Sequence, residues 1–202
     1  MVTALAPTKG ELTRQEILAA AIERFGRDGF RATSVTDIAR AAGVAATAPY
    51  AYFEGKEALF LAAVDHDAAA VINEGLAGIF DELGPTDWRN ALLTTLVTAV
   101  QAHPLARRLL AGLEPEVTRR VLDIPALTEL RAACAERLRA EQLAGGVRAD
   151  IDPVSAANGV VAILLSLLMS VVQLGVDAVG PYATDVSGVF AAALDPPAQA
   201  DS

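Results

Sequence analysis

Between Thr13 and Phe60 the chain repeats one pattern three times: a run of apolar residues at helical spacing, closed by a glycine. Helices stopped at such short intervals are too brief to stand alone and must bury their faces on one another. Thr13 with Glu16 has the spacing of a capping box, so a first helix is expected to start there. Ile17, Ala21 and Phe25, with Leu18 and Ile22 beside them, give that helix one apolar face. Gly29 is its expected stop. Ser34 and Asp37 repeat the capping logic ahead of Val35, Ile38, Ala39 and Ala42, and Gly43 ends this second helix. From Val44 to Phe53 there is room for about two more turns before Glu54-Gly55-Lys56. A short helix, a glycine turn and a second short helix form the unit that places a recognition helix in the DNA major groove.

These residues carry a resemblance. Thr13-Arg14, Ile17-Leu18, Ala20-Ala21, Phe25, Gly29-Phe30, Thr33-Ser34-Val35, Ile38-Ala39, Ala42-Gly43-Val44, Tyr50, Tyr52-Phe53, Lys56-Glu57 and Leu59 together resemble the headpiece of the tetracycline-repressor-like (TetR) family of bacterial transcriptional regulators. The match spans about fifty residues in one register. The resemblance implies an all-α homodimer with an N-terminal three-helix helix-turn-helix headpiece. It also implies a C-terminal helical domain that binds a small molecule and thereby weakens DNA binding. The expected division is a flexible arm over residues 1–12, the headpiece over 13–60, a ligand-binding and dimerisation domain over 61–195, and a disordered tail over 196–202.

Two positions depart from the family pattern. Ala45 stands where a capping serine is usual, and Pro49 where an apolar residue such as leucine is usual. Proline deep in a helix costs about 3 kcal/mol, so Pro49 belongs in a first turn, and the recognition helix is expected to be short or tightly wound. Thr47 is then the expected capping hydroxyl or base contact. From Ala45 to Ala51 there is no Arg, Lys, Asn or Gln, which removes the bidentate base contacts of direct readout. Ala46, Thr47 and Ala48 are therefore expected to read thymine methyl groups and groove shape, with Arg31 or Arg40 for longer reach. Arg14, Ser34, Thr36, Tyr50, Tyr52 and Lys56 are the expected phosphate contacts. Tyr52 and Phe53 also suit simple packing against the next helix.

Charge divides unevenly. The formal net charge is −9, and all of the excess acid lies beyond Phe60. Sequence-independent DNA affinity is mostly phosphate neutralisation, so this balance excludes a histone-like or strand-coating role and leaves selective, salt-sensitive binding through the headpiece. One cysteine, Cys134, excludes an internal disulfide and reads as a buried thiol. The N-terminus lacks the pattern of a signal peptide, so a cytoplasmic location is expected.

The body reads as helix throughout: one from Lys56 past Phe80, another from Thr86, and further starts at His103-Pro104, Glu114-Pro115, Ile124-Pro125 and Asp152-Pro153. The segment from Pro153 to Val176 has no charged residue, and its length would span a bilayer. Asn158, Gln173 and three serines interrupt it, and no basic anchors flank it, so a membrane span is rejected. Paired with a closing helix expected from near Pro181, it suits a four-helix interface across a two-fold axis, and hence a palindromic operator.

Phe80, Trp88, His103, Met169 and Gln173 are candidate ligand contacts because they are large or polar on aliphatic helices; core packing is the alternative for each. With few buried ionisable groups, a lipophilic effector is favoured. An effector-independent dimeric regulator is the second reading, favoured by a pocket too small for a ligand. His66 and His103 sit in no metal-ligand pattern and no phosphate loop occurs, so neither metal, cofactor nor enzymatic chemistry is expected.

Overall fold

The computed structural model describes residues 6, 8–79, 85–118 and 123–196, and all regular structure among them is helical. The N-terminal headpiece begins with α1 (Lys9–Ala32). Its start lies five residues ahead of the expected one, because the capping box is formed by Thr8 and Glu11 rather than by Thr13 and Glu16. Thr13 is an interior residue whose hydroxyl donates to the Lys9 carbonyl at 3.0 Å. Residues 9–12 of the expected arm are thus helical, while residues 1–5 and 7 lie outside the described residues. Gly29, at φ +82°, breaks α1 as its position indicated. The buried Thr33 hydroxyl donates to the Gly29 carbonyl at 2.8 Å, satisfying an acceptor that the break leaves over.

Ser34 caps α2 (Val35–Ala41), accepting from the Asp37 amide. The helix closes in a Schellman motif: the Val44 amide donates to Ala39 at 3.0 Å and the Gly43 amide to Arg40 at 3.2 Å, with Gly43 at φ +69°. A single 3-10 turn, Ala48–Ala51, takes the place of a full recognition helix.

The body comprises α3 (Lys56–Ile79), α4 (Pro85–Ala102), α5 (Pro104–Leu110), α6 (Pro115–Thr118), α7 (Pro125–Leu143), α8 (Pro153–Leu174) and α9 (Val176–Leu194). Proline opens five of them, where its missing N–H is an orphan in any case. Asp152 caps α8 through the Ser155 amide. The last boundary differs from expectation: α8 ends at Gly175, at φ +91°, and α9 begins at Val176 with Pro181 inside it. The glycine, not the proline, makes the turn.

Helix α3 joins the two parts. Its first turns bury Leu59 and Phe60 against the headpiece, where the Phe60 ring lies 4.9 Å from both Phe25 and Phe30. Farther along, α3 packs on α4, α5 and α7; α7 packs on α8, and α8 on α9. One continuous buried cluster runs from Ile17 to Leu194. Cys134 is fully buried within it, and burial pushes its thiol up to about 12. The most apolar stretch of helix α8 has a mean hydropathy of 2.1, yet only a third of it is buried.

Candidate nucleic-acid interface and effector cavity

The 3-10 turn follows from its residues. Alanine at 45 offers no cap, and Thr47 occupies the cap position without a side-chain hydrogen bond. The turn is closed instead by backbone bonds, Ala48 to Ala45 at 2.9 Å and Tyr50 to Thr47 at 3.2 Å. Pro49 sits in the first turn, buried, where it loses no bond. The tight recognition segment read from Pro49 is therefore present, and the Thr47 hydroxyl is left for another partner. Ala46, Thr47 and Tyr50 are exposed, and Ala48 and Tyr52 are half-buried. Tyr52 points its hydroxyl toward Gly10 on α1.

The basic side chains are less available than their number implies. Arg40 pairs with Asp37 at 3.0 Å, and Arg24 and Arg27 both pair with Asp28. Arg31 reaches away from the turn to Glu116 on α6, at 2.9 Å. The Lys56 ammonium lies 4.5 Å over the Phe30 ring and 3.4 Å from the Arg31 carbonyl. The Ser34 hydroxyl is bound to both the Asp37 amide and its carboxylate, which holds that carboxyl below its usual range. Thr36 is exposed. Arg14 is exposed, its guanidinium 5.1 Å over Phe53, and neither Arg14 nor Lys9 has a carboxylate partner among the described residues. Lys9 was not among the expected contacts; its place in the first turn of a helix was hidden by the assignment of Thr13 as the helix start.

In the body, a cavity of about 60 Å³ lies between α3, α4, α5, α7 and α8. Ala68, Val71 and Ile72 supply one wall, Leu109 and Leu110 a second, Leu127 and Leu130 a third, and Val161, Leu164 and Leu168 a fourth. Every lining side chain is aliphatic. The space therefore has no means to orient a charged or hydrogen-bonding molecule.

None of the expected ligand contacts that are described lines this cavity. Phe80 lies outside the described residues. Trp88 is fully buried in α4, and Met169 is half-buried against the core. Gln173 donates its amide to the Leu110 carbonyl at 2.8 Å, closing the end of α5. His103 bridges helices: Nδ1 is 2.7 Å from Asp67 and Nε2 is 3.1 Å from Glu74. Burial opposes its protonation, but the hydrogen bonds and charges of Asp67 and Glu74 outweigh burial and raise its pKa above 6.5. His66 is exposed.

Asp67 is the residue that sequence reasoning passed over. Only 3% exposed, it accepts from the Leu105 amide at 3.0 Å and the Ala106 amide at 2.8 Å. It thus caps α5 from a neighbouring helix, His103 itself providing no side-chain cap. The available signal was an aspartate in register with Val64 and Val71 on an apolar helix face.

Helix α5 also meets the headpiece. A side-chain carbon on Gly26 of α1 would stand 2.7 Å from the Pro104 ring and 2.8 Å from its backbone, so only glycine allows this approach. Glu114 accepts from the Phe30 amide at 3.1 Å and from Arg108 Nε at 2.7 Å.

Comparison with known proteins agrees with this architecture. Residues 17–63 match the family described as bacterial regulatory proteins, tetR family. The HTH-type transcriptional repressor Rv1474c of Mycobacterium tuberculosis is 32% identical over 143 residues, which is 68% of this chain and 71% of that protein. Among solved structures, a TetR-family regulator from Cytophaga hutchinsonii superposes with a TM-score of 0.77 at 20% identity, covering 96% of this chain and 100% of its own. SmeT, the repressor of the Stenotrophomonas maltophilia multidrug efflux pump SmeDEF, gives 0.65 at 18% identity, covering 95% and 94%. At such identities the two structures speak for the fold alone.

Proposed function

The chain belongs to the TetR family of bacterial regulatory proteins and is a transcriptional regulator rather than an enzyme, and from that membership we propose a cytoplasmic homodimeric repressor released from a palindromic operator by a small lipophilic molecule. The observation that carries the effector class is the wholly aliphatic lining of the cavity between α3, α4, α5, α7 and α8. Helix α3 runs from the headpiece core to that lining, so an occupant that spreads the wall displaces the helix that carries Leu59 and Phe60 into the headpiece. The relative named as a repressor supports the sign of regulation.

Dimerisation is supported by α8 and α9. Val154, Ile163, Leu174, Val176, Tyr182 and Val189 are all exposed in the single chain, an apolar surface of the kind that obligate interfaces cover. Two-fold symmetry then sets two recognition turns on successive half-sites. On the DNA, Ala46, Thr47 and Ala48 read methyl groups and groove shape, while Arg14, Thr36, Tyr50, Tyr52, Lys56 and the added Lys9 hold phosphate. Ser34 contributes through its helix start, since its hydroxyl is engaged by Asp37.

The volume of the cavity favours a second reading. Ligand pockets commonly measure about 300 Å³ or more, and about 60 Å³ admits only a slender chain; a protein that never opens further is a constitutive regulator. Titration calorimetry with n-alkanols and fatty acids of graded length, beside polyanionic metabolites, separates the two. Binding of alkyl probes that also weakens operator binding supports the effector reading. Binding by polyanions alone contradicts the lipophilic class, and binding by no probe favours the constitutive reading.

A further inference from the structure

Resting on the regulator reading, we propose that Glu114 is a positioning residue that carries the packing state of the aliphatic cavity to the headpiece, by a route separate from α3. Helix α5 has two working faces. Leu109 and Leu110 form cavity wall, while Pro104 abuts Gly26 of α1 and Arg108 extends to Gly29. After Leu110 the chain reverses at Gly112, at φ +73°, and four residues beyond the cavity wall it presents Glu114. The side chain of Glu114 is only 12% exposed. Its Oε1 joins Arg108 on its own side to the Phe30 amide on the other.

The Phe30 amide is a singular partner. It follows the break at Gly29, so it lies where α1 has lost its internal register. The Phe30 ring touches Phe60 at the start of α3 and supports the Lys56 ammonium. A displacement of α5 by the cavity is therefore delivered, through this carboxylate beside the Pro104–Gly26 contact, to the hinge of the headpiece and to the Lys56 ammonium. The neighbouring Arg31–Glu116 pair is exposed on both sides and adds little of its own. Glu114 differs in being partly buried, charge-assisted and bound to backbone, which fixes position rather than merely attracting.

The test uses the full-length protein and fills the cavity from its far wall with Val161→Phe on α8, Val161→Ile serving if the larger change prevents folding. With Glu114 intact, V161F lowers affinity for the selected operator about tenfold and speeds amide exchange at Phe30 by a similar factor, a size ordinary for coupling between sites. In an E114A background, E114S replacing it if unfolded, the same change lowers affinity only about threefold, the share that α3 and the Pro104–Gly26 contact transmit alone, and changes Phe30 exchange by less than about twofold. E114Q restores the coupling, because its amide oxygen still accepts from the Phe30 amide. Equal loss of affinity with and without Glu114, or no effect of V161F on Phe30 exchange in either background, overturns the proposal. If the unaltered protein binds no DNA, the regulator reading fails by itself, and Phe30 exchange still decides whether Glu114 couples cavity to hinge.

Discussion

Replacing Asp67 by alanine should be among the most destabilising single changes in this protein. Its carboxylate lies between α3 and α5, accepting from the Leu105 and Ala106 amides and from His103 at 2.7 to 3.0 Å. Alanine leaves two buried amides without an acceptor, each worth about 1–3 kcal/mol, and removes the partner of a histidine, for a total on the order of 4 kcal/mol. Domains of this kind are stable by only about 5–15 kcal/mol, so the change consumes a large share. With a urea dependence of about 2 kcal/mol per molar, the unfolding midpoint falls by about 2 M. Asp67→Asn retains one acceptor oxygen for the α5 amides and should lose about half as much. Urea unfolding, followed by far-ultraviolet dichroism and by fluorescence of the fully buried Trp88, measures this at fixed protein concentration, since any dimer links stability to concentration. A loss below about 1 kcal/mol for D67A would refute the claim that α5 is capped from α3.

Three further outcomes follow from the same geometry. Because the pKa of His103 is raised in the folded state, the stability it confers is full below its unfolded value of 6.5 and declines as pH rises through the higher folded value. The stability gap between the wild type and His103→Gln should therefore narrow with rising pH above 6.5, whereas a gap constant across that range contradicts the bridge to Asp67 and Glu74. Gly26→Ala gains about 1 kcal/mol of helix propensity but forces a contact against Pro104 backbone, and overpacking of about 1–3 kcal/mol should win, lowering stability and loosening the headpiece; a rise in melting temperature would show that α1 and α5 are not in close contact. Thr47→Ala should weaken binding to the preferred operator more than to base-substituted variants, and an equal loss across all of them would remove Thr47 from sequence readout.

Much of this architecture is legible in the chain because its helix starts are written locally. Prolines 104, 115, 125 and 153 each open a helix, and Ser34 caps α2 as its spacing from Asp37 indicates. The shortened recognition segment is likewise readable from Pro49 and the missing cap at Ala45. Local rules fail where two signals compete. Thr8 with Glu11 and Thr13 with Glu16 have identical spacing, and only the first lies at a helix start. Gly175 and Pro181 both punctuate the last helix pair, and the glycine prevails because only it supplies the left-handed turn, while Pro181 gives up one bond inside α9.

Contacts across the fold are another matter. Glu114 meets Phe30 across 84 residues and Asp67 meets His103 across 36, and helical periodicity names faces without naming partners. The cavity escapes sequence reading for a related reason. Trp88, His103, Met169 and Gln173 stand out by size or polarity, but a void is bounded by whichever aliphatic side chains fall short of one another, and residue type does not record that shortfall.

The central claim, a two-fold regulator reading DNA through a tightly wound turn, is tested most directly by selection of fragments from a random duplex pool with the purified protein at moderate salt, read by sequencing. Enrichment of an inverted repeat with half-sites one helical turn, or a multiple of it, apart is the expected result. A folded, dimeric protein that enriches no sequence, or only a single unrepeated site, would contradict the account.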